Sequence, residues 1–97
     1  MAIGALFELP GVTQAQYDEI TSKLTDGRGL RSLSDWPVEG IRLHVAGPTE
    51  SGWRVLDVWE SEEAFQRFGE HLGPIATEAG LTSLEPQIFQ VHNLITS

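Results

Sequence analysis

The 97-residue chain contains no cysteine. That one absence removes disulfides, thiolate nucleophiles, thiolate zinc sites and cysteine-ligated clusters together. Positive charge is also scarce. Six Lys and Arg stand against fourteen Asp and Glu, for a formal charge of −8, and Lys23 is the only lysine. A chain this acidic repels nucleic acid and anionic lipid, whose recognition begins with the neutralisation of phosphate. No apolar run approaches the roughly 18 residues needed to span a bilayer. The opening Met1–Phe7 is apolar, but no basic segment precedes it and Glu8 stops it, so it does not read as a signal peptide. Phosphate-binding Gly-x-Gly-x-x-Gly, Walker and nucleophile-elbow motifs are all missing. Ten Gly and five Pro are too few for a low-complexity chain. The expectation is one cytoplasmic domain, spanning residues 1–97, with a modest core.

What is present is an alternation of strand and helix signals. Ile3 to Leu9 is an apolar run closed by the turn pair Pro10-Gly11. Thr13 then reads as a helix N-cap, with Gln16 completing a capping box and Val12 packing on Tyr17 as a staple. Tyr17, Ile20 and Leu24 give residues 14–26 one apolar face, and Gly27 fits the left-handed stop. Residues 28–40 lack a period, with Leu30, Leu33 and Trp36 as apolar anchors in a packed loop or a lid. Ile41 to Ala46 and Trp53 to Glu60 form a hairpin with a six-residue connection. Ser61 caps a second helix, favourably followed by Glu62 and Glu63. Gly73-Pro74 predicts a kink or a helix in two pieces, and Gly80 ends it. A last strand covers residues 87–95. The order β-α-β-β-α-β is the ferredoxin-like α+β arrangement: a four-stranded antiparallel sheet with both helices on one face.

Two helices cover only one face of such a sheet. Yet Val55 and Trp59 oppose Leu56 and Val58 in the third strand, and Ile88 and Leu94 oppose Phe89, Val91 and Ile95 in the fourth. Both faces are therefore apolar, and a second copy of the sheet is the simplest cover, giving a homodimer.

The run Trp53-Arg54-Val55-Leu56-Asp57-Val58-Trp59-Glu60-Ser61-Glu62-Glu63-Ala64-Phe65, with Leu43-His44-Val45-Ala46-Gly47-Pro48 and the terminal Phe89-Gln90-Val91-His92-Asn93, resembles the dimeric α/β-barrel superfamily. Within it the chain is most similar to small domains of the antibiotic-biosynthesis-monooxygenase type. The resemblance implies a barrel shared by two subunits, a pocket between each sheet and its helices, and Trp59 as a pocket residue. It implies, too, cofactor-independent oxidation of an aromatic or polyketide-type substrate, although the superfamily also includes haem-degrading enzymes, isomerases, dehydratases and members with no known reaction. The family's Asn-to-Trp spacing of four falls on Val55 here, which removes one polar pocket group.

Seven residues are candidates for chemistry. Asp57 lies in an apolar strand, where an unpaired carboxylate is costly. It is either a general base or orienter of an imidazole, or the partner of Arg42 in a cross-strand ion pair. His44 is mid-strand, with Arg42 on the same face by simple alternation; it is a candidate base, haem ligand or dimer contact. His92 and Asn93 point to opposite faces of the last strand, and one of them is a pocket candidate. His71 lies near the Gly73-Pro74 break, at the pocket edge or at a helix end. Trp53 and Trp59, together with Trp36, Phe65 and Phe68, suit an aromatic ligand, and they are equally what any small core would use. The three histidines form no His-x-His or His-x-x-x-His pair, so no compact metal site is expected. A non-catalytic ligand-binding or assembly domain of the same fold is the alternative function.

Overall fold

The computed structural model describes residues 1–81 and 84–96. Its elements are β1 (Ile3–Pro10), α1 (Gln14–Leu24), a short 3-10 turn (Leu33–Asp35), β2 (Ile41–Pro48), β3 (Gly52–Trp59), α2 (Glu62–Glu78) and β4 (Gln87–Gln90). The strands form one antiparallel sheet in the order β2-β3-β1-β4. This is the ferredoxin-like α+β fold expected from the sequence.

Local chemistry sets most boundaries. The Thr13 side chain accepts from the Gln16 N–H, and the Gln16 side chain accepts from the Thr13 N–H. Ser61 caps α2 by accepting from the Ala64 N–H. At the other end of α2, Gly80 has φ +95° and Leu81 N–H reaches back to the Ala76 carbonyl at 2.9 Å. That closure satisfies carbonyls which the helix itself leaves open.

Three boundaries differ from expectation. The helix runs as one element through Gly73-Pro74, so it is not in two pieces. Pro74 removes the N–H that would bond Glu70, but both residues are exposed, so the freed carbonyl lies on the water side. The β2–β3 link is residues 49–51, not six residues, because Gly47 and Pro48 stay in the strand. Pro48 is tolerated there because β2 is an edge strand. Finally, β4 stops at Gln90, which pairs with Ile3. One more bond joins Val91 N–H to the Ala2 carbonyl, and beyond it β1 offers no partner. His92 and Asn93 therefore lie past the strand and are exposed.

A further difference positions the site. The β2–β3 register slips between Ile41 and Leu43. This bulge places two residues between Ile41 and His44 on the same face. Ile41, His44 and Ala46 thus face the helices with Trp53, Val55, Asp57 and Trp59, while Leu43 and Val45 turn outward. His44 and Arg42 do not share a face, and Arg42 instead meets Glu60 at 3.6 Å.

The core between sheet and helices has two ends. One packs Ile3, Trp36, Ile41, Trp59, Ala64 and Phe68; the other packs Ala5, Phe7, Trp53 and Val55. Trp59 is fully buried, its ring 5.0 Å from Phe68. On the opposite face Leu6, Leu43 and Leu56 are half-buried, while Val45 is 55% and Phe89 49% exposed. No helix among the described residues is long and apolar enough to cross a membrane.

Candidate active site

His44 and Asp57 are direct cross-strand partners. Their side chains point under the helices and meet, with Nδ1 2.5 Å from Oδ1. Asp57 is 2% exposed. Burial pushes its carboxyl up from the ordinary 3.8, and the histidine bond pulls in the opposite direction. The other imidazole nitrogen, Nε2, lies 2.6 Å from the Tyr17 hydroxyl. Tyr17 comes from the first turn of α1, which crosses the same face of the sheet. The three groups therefore form one hydrogen-bonded line drawn from β3, β2 and α1.

The proton positions follow from the ends of that line. With Asp57 ionised, only Nδ1–H can donate to it. Nε2 is then an acceptor, and Tyr17 O–H donates to it. Burial first, then the Asp57 and Asp18 charges, push the Tyr17 hydroxyl up to about 12, so it keeps its proton at neutral pH. The Trp36 ring lies against the imidazole, centroids 4.9 Å apart in an edge-on arrangement. The Trp53 ring packs on Tyr17, centroids 5.3 Å apart.

This line borders a cavity of about 70 Å³ between the sheet and the helices. The remaining wall is almost wholly apolar: Phe7, Leu9 and Val55 from the sheet, Ile20 and Leu24 from α1, Leu30 and Trp36 from the connection, Phe68 and Leu72 from α2. Tyr17, Ile20 and Leu24 read in sequence as a core face. They are only half-buried because the cavity lies beneath them.

The structure thus brings together two of the seven candidates, His44 and Asp57. The Asp57–Arg42 ion pair does not form; Asp57 bonds His44 instead. His71 is exposed on α2, and His92 and Asn93 are exposed after β4; none borders the cavity. Trp53 and Trp59 are buried beside the cavity's aromatic groups without lining it. Haem ligation does not fit these residues, since His44 Nε2 is bonded to Tyr17 and the other two histidines stand away from the cavity. No group of three or more His, Asp or Glu suited to a metal ion occurs among the described residues. Tyr17 is an addition to the candidate list, and Trp36 lines the cavity. The available signal for Tyr17 was chemical, since a tyrosine on the apolar face of a helix needs a partner for its hydroxyl.

Protein-family models give no match to the sequence, and curated proteins give none either. Solved structures do. SnoaB, a cofactor-independent oxygenase from Streptomyces nogalater, matches over 99% of this chain and 96% of its own, with a TM-score of 0.57 and 17% identity. Its asparagine-to-alanine variant matches over the same shares, with a TM-score of 0.59 and 14% identity. At this identity the likeness establishes a shared fold.

Proposed function

We propose that the protein is a cofactor-independent monooxygenase acting on an aromatic substrate of the phenol or anthrone type. The observation that carries this reading is the Tyr17–His44–Asp57 line bordering an apolar cavity. The fold shared with SnoaB supports it. Asp57 fixes the imidazole tautomer and stabilises the imidazolium that forms when His44 takes a proton. The apolar wall excludes water, so the substrate carbanion meets oxygen rather than being quenched. For an anthrone the balance closes without an added reductant. The methylene carbon loses two hydrogens and gains one atom of O₂ as a ketone, while the second oxygen leaves with both hydrogens as water.

A cavity of about 150 Å³ is what holds a benzene ring. The present 70 Å³ must therefore widen, and Ile20, Leu24 and Leu30 are among its half-buried wall residues. A second copy of the chain covers the apolar outer face of the sheet, where Val45 and Phe89 are exposed.

Oxygen uptake with anthrone or hydroquinone substrates, without added metal or flavin, tests the reading. His44→Ala is expected to lower turnover by about 10²–10⁴-fold, the usual span for a general base. Full turnover in a folded His44→Ala protein would remove the assignment. No turnover by the unaltered protein across an aromatic panel would leave a binding or assembly domain.

A further inference from the structure

Tyr17 stands on the histidine's basic atom. A neutral imidazole offers one acceptor, and here that acceptor, Nε2, is taken by the Tyr17 hydroxyl at 2.6 Å. Asp57 holds the opposite nitrogen at 2.5 Å, so the ring cannot present another. All three residues border the same cavity. A phenol oxygen that donates one hydrogen bond can still accept. An acid entering the cavity can thus reach His44 through Tyr17, without the contact opening.

We propose that Tyr17 is a catalytic residue that carries the substrate's proton to His44. This rests on the monooxygenase reading for the choice of acid. In the step, a substrate C–H or O–H bond breaks and its proton passes to Tyr17 Oη, while the original hydroxyl proton passes to His44 Nε2. The electron pair of the broken bond stays on the substrate as the anion. His44 becomes imidazolium beside the Asp57 carboxylate, and Tyr17 ends as a phenol whose new O–H points at the anion. No oxidant takes part. The two transfers occur together, because burial, and then the Asp57 and Asp18 charges, disfavour a free phenolate. The competing role for the same contact is a plug, which leaves so that substrate touches Nε2 directly.

The chain has a single tyrosine, so substitution by mono- and difluorotyrosine alters Tyr17 alone. The proton step is isolated by following deuterium exchange at the anthrone methylene without oxygen; oxygen uptake is measured separately. Tyr17→Phe is expected to slow catalysed exchange by about 10²-fold. The fluorinated proteins keep the ring and hydroxyl, and their exchange rates should change stepwise with phenol acidity. If Tyr17→Phe misfolds, that series carries the test alone. Exchange in Tyr17→Phe at the original rate or faster, or a flat fluorotyrosine series, overturns the relay, as does absence of catalysed exchange in the unaltered protein. Exchange without oxygen uptake keeps the relay and removes the oxygenase. Equal oxygen uptake in the unaltered and Tyr17→Phe proteins does the reverse.

Discussion

Val55 is the residue at which stability and function should part. It lies on β3 two residues before Asp57, opposite Phe7 and Ala46, and borders the cavity. Val55→Ile adds one methylene without losing the branching that suits a strand. A newly buried methylene contributes about 0.8 kcal/mol. The cavity sets a ceiling. At about 24 cal/mol per Å³, filling all 70 Å³ is worth about 1.7 kcal/mol. One methylene falls inside that limit. For a chain of this size 1 kcal/mol moves the melting temperature by about 4–8 °C, so a rise of about 3–6 °C is expected. The same group takes space beside His44 and Asp57, so affinity for an aromatic ligand and turnover should fall. Thermal denaturation and oxygen uptake on one preparation read both effects. A lower melting temperature would mean overpacking, which costs about 1–3 kcal/mol, and hence no room at Val55. A higher one with unchanged turnover would place the chemistry outside this cavity.

Two other changes follow from the same geometry. Asp57 has its carboxyl raised above the ordinary 3.8, so its ionisation opposes folding. Its contribution to stability is fully present below that pH and is lost as pH rises through the raised value. Asp57→Asn can still accept from His44 Nδ1–H, so its denaturant-measured stability should lack that decline and Tyr17 should ionise nearer its ordinary 10.0. Parallel pH profiles for the two proteins would show that Asp57 is not desolvated. On the outer face, a Cβ at Gly4 would fall within the Phe89 ring. Gly4→Ala should cost about 1–3 kcal/mol, displace the ring and weaken the proposed self-association in sedimentation at micromolar concentration; unchanged self-association would remove that ring from the proposed contact.

What the sequence discloses is what local contacts decide. The Thr13–Gln16 box, the Ser61 cap and the Gly80 stop each depend on residues within a few positions, and each is legible. The end of β4 is not, because it depends on where β1 begins, almost ninety residues earlier. The fate of Pro74 depends on which side of α2 meets water. At the site, His44 and Asp57 are conspicuous as polar residues inside apolar strands. Their partnership is hidden, since alternation counted straight through β2 sets His44 with Arg42. The hydroxyl of Tyr17 is invisible to a reading that counts it with Ile20 and Leu24 as an apolar face. The outcome is a fold legible at the level of topology and a site legible in two of its three members.

The slip between Ile41 and Leu43 bears on how such a protein would be compared with its kin. Deleting Arg42, the residue without a partner there, would restore plain alternation and leave Ile41 opposite Trp59 and His44 opposite Asp57, both still turned inward. A relative could carry one residue fewer between isoleucine and histidine and still present the imidazole to the interior. The count of residues since the preceding isoleucine therefore does not by itself certify where this histidine points; the count taken together with the bulge does.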